Sequence, residues 1–326
     1  MKTFQFKLGT ILLAGSMIFS SCEKEEVITT PTPELLTIAA TADQAGNFTI
    51  LLDALTRTGL AATMADPSQS LTVFAPTDAA FMDLLNELGL SSLDEVESAL
   101  GNDGLKNVLL YHVLGAEVTS SMVTTGYVSS LGTNGTMDPL SIYANTSNGV
   151  MLNDRASVTT ADVMASNGVI HIIDKVILPL TIYQLLEINA DYATLTAALG
   201  IADGDLDVLT SDAAAGPFTL FAPNENAFGM LLTELMIADV SALVAALGTD
   251  GLADVLTYHV VAGNINSDEV PSGAVATVNG DDITFDLSSG VMITDARMRT
   301  SNVVEVDIQG TNGVIHAISK VILPTP

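Results

Sequence analysis

A block of thirteen residues near the end of the chain constrains the fold more than any other feature, because nearly the same block occurs earlier. It spans Asn312–Pro324 and matches Asn167–Pro179, a shift of 145 residues (312 minus 167). Two further blocks recur in the same order: Leu71–Phe81 as Phe218–Phe228, and Asp103–His112 as Asp250–His259. A spacing this long exceeds a solenoid unit and fits a whole domain. The chain is therefore predicted to hold two tandem copies of one compact domain.

The hydrophobic periodicity changes along each copy. The apolar positions between Phe81 and Leu88 follow the i, i+3, i+4, i+7 spacing of one helix face. Asp103 and Asp250 are predicted to cap a later helix in each copy. Alternating residues on both sides of Asn279-Gly280 predict a β-hairpin. Helices followed by strands predict an α+β domain.

The three repeated blocks resemble the fasciclin (FAS1) domain family in both copies. The resemblance covers Glu34–Pro324, and it departs from the family pattern at Asn224–Asn226, where a residue suited to capping a helix is kept. It implies that each copy is a β-wedge or sandwich of two small sheets with flanking helices. The implied boundaries are 34–180 for the first FAS1 domain and 181–324 for the second.

The N-terminus predicts export. Lys2 and Lys7 precede a short apolar run, Leu8–Phe19, and residues 1–21 are predicted to be a signal peptide, too short to span a bilayer as a mature helix. Cys22, the only cysteine, follows a sequence that resembles a bacterial lipobox and is the predicted lipid attachment site. An ordinary cleavage site beside an incidental cysteine is the alternative. A lone exposed thiol is a liability in an oxidising compartment, which favours lipidation.

Residues 22–33 are rich in charge, threonine and proline and predict a flexible tether. Glu23–Glu26 resembles the export signal of some outer-membrane lipoproteins, although a solvated charge run explains it equally well. We expect a lipid-anchored protein of the cell envelope, in the outer membrane, with surface exposure as a further option.

The net charge of the chain limits the classes of partner that the protein is expected to bind. Without Lys2 and Lys7 the chain keeps 8 of its 10 basic residues against 38 acidic ones, a formal charge of −30 (8 minus 38). Such a charge argues against nucleic-acid binding and against adsorption of the protein surface to anionic lipid. The expected membrane contact is through the lipid anchor alone.

Two histidines are predicted to be structural. His171 and His316 share a strand face with apolar neighbours, which indicates buried, hydrogen-bonded side chains rather than catalytic or metal-binding ones.

The pairs Tyr111-His112 and Tyr258-His259 are candidates for an adhesion or a structural motif. The family resemblance implies the first role, since animal relatives are linked to cell adhesion through this block. Apolar flanks such as Val108–Leu110 are equally what a core needs, and we favour a structural role with any adhesive surface nearby.

No catalytic residues, metal or cofactor are expected. The sequence has no His-Glu-x-x-His, Gly-x-Ser-x-Gly or Walker pattern. Asp203–Asp207 has alternate acids like a calcium loop, but Val208 and Ala214 replace the expected glycine and glutamate, so a solvated loop is favoured and calcium is left open.

The expected function is non-enzymatic binding or adhesion. The expected partners are extracellular matrix, a cell-surface protein or a polysaccharide. The alternatives are an envelope scaffold, a glycan- or ligand-binding protein and, less favoured, an unrecognised hydrolase. The absence of tryptophan argues against a stacked sugar platform.

Overall fold

The computed structural model describes residues 35–202 and 216–326. Over residues 35–180 the chain forms five α-helices and seven strands. In order these are α1 (Ile38–Ala45), α2 (Thr49–Arg57), α3 (Ala61–Ala65), β1 (Leu71–Pro76), α4 (Asp78–Leu88), α5 (Leu93–Tyr111), β2 (Val113–Leu114), β3 (Gly126–Thr133), β4 (Pro139–Asn145), β5 (Met151–Leu152), β6 (Ala156–Ala165) and β7 (Gly168–Ile173).

The described part of the second half repeats this order from β1 onwards. Its elements are α6 (Ile182–Glu187), α7 (Ala193–Leu199), β8 (Phe218–Pro223), α8 (Glu225–Leu235), α9 (Val240–Thr257), β9 (Val260–Ala262), β10 (Gly273–Ala276), β11 (Asp282–Asp286), β12 (Met292–Thr294), β13 (Thr300–Gly310) and β14 (Gly313–Ile318).

Each half contains a seven-stranded sheet, which confirms the α+β prediction. The strand orders are β2-β1-β7-β6-β5-β4-β3 and β10-β11-β12-β13-β14-β8-β9. The two small sheets predicted for each copy are joined into one ladder by a long strand, β6 or β13, which pairs on both sides and carries register shifts along its length. The predicted hairpin is also present, as β10 paired antiparallel with β11.

Strand β1 is buried on both faces because two cores flank it. It pairs in parallel with β7, and every one of its residues is buried. Val73 and Ala75 pack on the helical side, whereas Phe74 packs with Ile142 and Leu152 between the two parts of the sheet. A strand covered on both faces has a continuous rather than alternating apolar sequence, as the repeated block does.

The helix starts predicted from aspartates are wrong in both copies. In α5 the N-cap is Ser92, whose side chain accepts from the backbone of Glu95, and Asp103 lies well inside the helical segment. The equivalent Asp250 lies inside α9. The sequence signal was misleading because each segment is kinked at a glycine with φ 74°, Gly101 or Gly248, just before the aspartate, so the helix starts a second time there.

Helix α9 is also the one described helix long and apolar enough to cross a membrane by length and composition. The kink at Gly248 interrupts it, and Leu252 and Leu256 pack into the core of the second half.

The two halves meet through a hydrogen-bonded contact that we call the latch, defined by Tyr127 and Tyr143 of the first half and Leu185 and Asn189 of the second. The Tyr127 hydroxyl donates to the Leu185 carbonyl over 2.8 Å and accepts from Asn189 Nδ2 over 3.2 Å. The Tyr143 hydroxyl donates to Asn189 Oδ1 over 3.4 Å, and the two tyrosine rings lie 5.1 Å apart.

A second set of polar contacts lies beside the latch. The two carboxylate oxygens of Asp138 accept from the side-chain amides of Asn264 and Asn266, each over 2.8 Å. The Gln309 backbone N–H donates to Ser141 Oγ over 2.9 Å. These contacts hold the two halves in a fixed relation, as the short connection between Pro179 and Thr181 predicts.

Tyr127→Ala is expected to loosen the junction without unfolding either half. The substitution removes a ring and a hydroxyl that bonds two groups of the other half, a loss of about 1–3 kcal/mol of coupling. Limited proteolysis near Leu180 should accelerate, by roughly tenfold or more if cleavage follows local opening. Tyr127→Phe keeps the ring and should give an intermediate rate. Cleavage at the parent rate in Tyr127→Ala would show that the latch does not restrain the junction.

Candidate functional site

The two motif tyrosines lie at the ends of α5 and α9 with their rings buried. The Tyr111 hydroxyl donates to the Ser141 carbonyl over 2.7 Å and accepts from Asn153 Nδ2 over 2.8 Å. The Tyr258 hydroxyl donates to the Asp282 carbonyl over 2.8 Å and accepts from the Ala296 N–H over 2.9 Å. Burial raises the pKa of Tyr111, and it raises the pKa of Tyr258 to about 12. Both hydroxyls therefore stay protonated and tie a helix end to the sheet.

His112 and His259 join the same helix ends to the last repeated block, Asn167–Pro179 in the first copy and Asn312–Pro324 in the second, which we call the closing block. His112 Nδ1 donates to the Val108 carbonyl over 2.7 Å, and its Nε2 accepts from the Ile177 N–H over 3.0 Å. In the second copy, His259 bonds the Val255 carbonyl over 2.7 Å and the Ile322 N–H over 3.1 Å. A backbone N–H can only donate, so Nε2 is the unprotonated nitrogen and the ring is neutral.

Burial is the dominant influence on the titration of both motif histidines. It lowers the pKa of His112 and of His259 to about 4, although each hydrogen bond to a backbone carbonyl acts in the opposite direction. Neither ring has a free nitrogen to offer to a partner. The adhesion or structural assignment of the motif stays a prediction, and this geometry supports the structural one.

The other two histidines sit in the strands of the closing block. His171 Nε2 donates to the Val118 carbonyl over 2.9 Å and its Nδ1 accepts from the Asp162 N–H over 3.3 Å. His316 makes the same two bonds to Ile265 and Asp307, and burial lowers its pKa. Each ring also stacks on a phenylalanine, with Phe74 and His171 centroids 5.7 Å apart and the equivalent pair 5.6 Å apart.

A serine, an aspartate and a histidine lie together in each copy, but their bonding differs from that of a hydrolase. The Ser267 hydroxyl donates to Asp307 Oδ2 over 2.6 Å, and the Ser267 N–H donates to the other carboxylate oxygen over 2.8 Å. Ser120 and Asp162 are paired in the same way. In a serine hydrolase the histidine accepts the serine proton, whereas here both nitrogens of His316 are bound to backbone groups. This arrangement fixes a loop and offers no general base.

The role of these two aspartates could not be predicted from the sequence. Asp162 and Asp307 have φ 58° and 60° inside a bulged strand, a conformation that aspartate tolerates better than most residues. The left-handed backbone aims the carboxylate at the serine loop. No local sequence pattern predicts a left-handed aspartate within a strand.

Two Asn-Gly pairs, Asn167-Gly168 and Asn312-Gly313, connect each copy's first helix to its sheet. Asn167 Oδ1 accepts from the Ile38 N–H over 2.8 Å, and Asn312 Oδ1 accepts from the Ile182 N–H over 2.9 Å, so each asparagine ties the first helix of its copy to the sheet. The following glycine is required because a Cβ at Gly168 would lie 1.9 Å from the Leu71 carbonyl oxygen.

The cores offer little room for a ligand. Two cavities of about 30 and 20 Å³ lie beside His112, and apart from that histidine both are lined by apolar residues. These volumes correspond to about one water molecule each. Within residues 35–202 and 216–326, no three His, Cys, Asp or Glu side chains are grouped as metal ligands. Cys22 and Asp203–Asp207 lie outside the described residues.

Comparison with known proteins identifies the same two copies that the sequence repeat predicts. The family model of the fasciclin domain matches residues 46–179 and 190–324. The chain is 37% identical over 145 residues to Protein sll1483 of Synechocystis sp., covering 44% of this chain and 74% of that protein. It is 30% identical over 266 residues to transforming growth factor-beta-induced protein ig-h3 of Sus scrofa, covering 78% of this chain and 35% of that protein. It thus spans about a third of the length of that animal relative.

A solved FAS1 domain pair from the insect cell adhesion molecule Fasciclin I is similar over 87% of this chain and 95% of that one, at 17% sequence identity and a TM-score of 0.47. The two family-model matches together cover most of the chain. The protein belongs to the fasciclin domain family and contains two tandem FAS1 domains.

Proposed function

We propose that this protein is a non-enzymatic binding and adhesion protein of the cell envelope, held there by a lipid on Cys22. The observation that carries the proposal is the commitment of all four histidines to internal hydrogen bonds, which leaves the outer surfaces of two rigidly joined FAS1 domains as the binding elements. FAS1 domains are adhesion and binding modules, which supports the same reading. The proposed partners are extracellular matrix, a cell-surface protein or a polysaccharide.

The fixed relation of the two domains adds to this proposal. A polymeric or clustered ligand could engage both domains at once, because the latch holds their surfaces at a constant separation. Such a ligand gains avidity without any single contact becoming tighter.

Cys22→Ser tests the anchor. The parent is expected to fractionate with membranes, and the variant to appear in the soluble fraction, because two FAS1 domains without an acyl chain have little to hold them in a bilayer. Recovery of Cys22→Ser in the membrane fraction at the parent level would contradict lipid anchoring through this residue.

The same variant tests binding. Released Cys22→Ser protein, used as bait with envelope and matrix fractions, should retain a defined set of surface proteins or polysaccharides identified by mass spectrometry. The heat-unfolded variant is the control. Equal retention by the folded and unfolded bait would argue against a folded binding surface, and turnover of ester, glycoside or peptide substrates would favour a hydrolase instead.

A further inference from the structure

Five asparagines of this chain are followed directly by glycine: Asn134, Asn148, Asn167, Asn279 and Asn312. Glycine leaves the backbone nitrogen after the asparagine unhindered, because it has no Cβ beside that nitrogen. The nitrogen can then attack the carbon of the side-chain amide, provided that the side chain is free to turn towards it. The five pairs share this reactivity in the unfolded chain, and the fold determines which of them keeps it.

The fold holds Asn167 and Asn312 firmly. Their exposed fractions are 1% and 9%. Asn167 Oδ1 accepts from the Ile38 N–H, and its Nδ2 donates to two backbone carbonyls, each over 3.0 Å. Asn312 Oδ1 accepts from the Ile182 N–H over 2.9 Å, and its own carbonyl accepts from a strand N–H over 3.1 Å. Because these bonds must break before the side chain can turn, both asparagines are protected.

Asn134 and Asn279 are held within their turns. Asn134 Oδ1 accepts from two backbone N–H groups of its own turn, and its Nδ2 donates to Gln309 over 3.1 Å. Asn279 Oδ1 accepts from a backbone N–H over 3.4 Å. The Gly280 N–H, which would have to attack Asn279, donates to the Thr277 carbonyl over 3.0 Å. Each hydrogen bond that must break first slows the attack about fivefold.

Asn148 differs from the other four asparagines. It lies in the loop between β4 and β5 and is exposed. Among the residues that the structure describes, none forms a hydrogen bond with the Asn148 side chain. The residues just before it are fixed, since the Ser147 N–H donates to Asn145 Oδ1 over 2.9 Å and the Thr146 N–H donates to Thr125 Oγ1 over 3.0 Å. The loop is therefore anchored, while the amide of Asn148 is free to turn.

The second domain shows that this loop does not need an asparagine. Ser289-Gly290 stands there at the position of Asn148-Gly149. The two glycines have φ 97° and 82°, and each forms a β-bridge with a serine two residues earlier. The same loop conformation thus forms with serine in place of asparagine.

We propose that Asn148 is a site of spontaneous deamidation in the folded protein. The Gly149 nitrogen forms a bond to Cγ of Asn148, the Cγ–Nδ2 bond breaks, and the amide leaves as ammonia with the proton that the Gly149 nitrogen gives up. Water then opens the cyclic imide at either carbonyl, which yields aspartate or isoaspartate. The reaction consumes only water. The product carries an additional negative charge at neutral pH.

Peptide mapping of the full chain carrying Cys22→Ser tests the proposal. The folded protein is incubated at mildly alkaline pH and digested in mild acid, and mass spectrometry measures the conversion at all five Asn-Gly pairs. Asn148 is expected to convert at least about tenfold faster than the other four, because only they must break hydrogen bonds first. In urea the five rates should become similar. Equal rates in the folded protein, or a faster pair elsewhere, would overturn the assignment to Asn148.

Two variants and a matched control locate the reactive pair. Asn148→Ser introduces the residue of the second domain and should abolish the additional acidic form on isoelectric focusing at an unchanged melting temperature. Gly149→Ala keeps the asparagine but hinders the attacking nitrogen, and should slow the acidic form several-fold. Gly135→Ala is the control, because a Cβ at either glycine meets no atom within 4 Å. An acidic form that persists in Asn148→Ser, or equal slowing in both alanine variants, would contradict the proposal.

Discussion

Replacing His259 with alanine is expected to lower the free energy of unfolding of the second domain by about 3–5 kcal/mol. The buried ring bonds the Val255 carbonyl at the end of α9 and the Ile322 N–H in the closing segment. Without it, one buried donor and one buried acceptor lose their partners and a cavity remains. Urea unfolding, followed by circular dichroism, measures the change.

A surface substitution separates destabilisation from loss of contact. Asp268→Asn, at an exposed position of the same domain, should leave the melting temperature within a degree or two of the parent. If His259→Ala kept the parent melting temperature and yet abolished retention of the bound partner, the histidine would be a contact residue. The structural assignment of the Tyr-His motif would then be wrong.

The second large expected effect is a loss of folding stability in mild acid. Burial lowers the pKa of His112 and His259 from an ordinary value of 6.5 to about 4. Between these two values the unfolded chain binds protons that the folded chain does not, so stability falls as the pH falls. This contribution is complete above pH 6.5 and is lost as the pH passes down through about 4. It amounts to about 3 kcal/mol for each domain at most.

The histidine contribution can be distinguished from that of the carboxylates. Hydrogen bonds lower the pKa of Asp66 and Asp286 below their ordinary value of 3.8, so their stabilisation is lost only in stronger acid. Urea unfolding at pH 7, 6, 5 and 4 should therefore show a decline that is shallower in His259→Gln than in the parent. Parallel pH dependences for the two proteins would contradict a neutral, buried His259.

The prediction of the fold from sequence succeeded where a capping residue directly follows a buried strand. Thr77 and Asn224 differ chemically, yet both carry the side-chain oxygen that a helix N-cap needs, and each accepts from a backbone N–H three residues on, over 3.3 and 3.0 Å. The predicted starts at Asp103 and Asp250 failed because each helical segment begins earlier, after Ser92 or Asp239, and only restarts at a glycine with positive φ.

The site was less accessible to sequence reasoning, because its bonds join residues far apart in the chain. The apolar neighbours of His171 and His316 indicated burial, whereas their partners across the sheet left no local pattern. The latch was missed entirely for the same reason. Tyr127 and Asn189 are 62 residues apart and carry no motif.

The latch has a consequence for how such modules can be multiplied. Duplication copied the core residues faithfully, but Ala274 stands in the second domain where Tyr127 stands in the first, and Ala45 stands in the first where Asn189 stands in the second. Each domain thus carries the residues for only one side of the latch. A further copy of either domain, added in tandem by engineering, would have the same fold but would lack one side of the latch. A longer array would therefore be rigid only if the contact surfaces of both neighbouring domains were redesigned together.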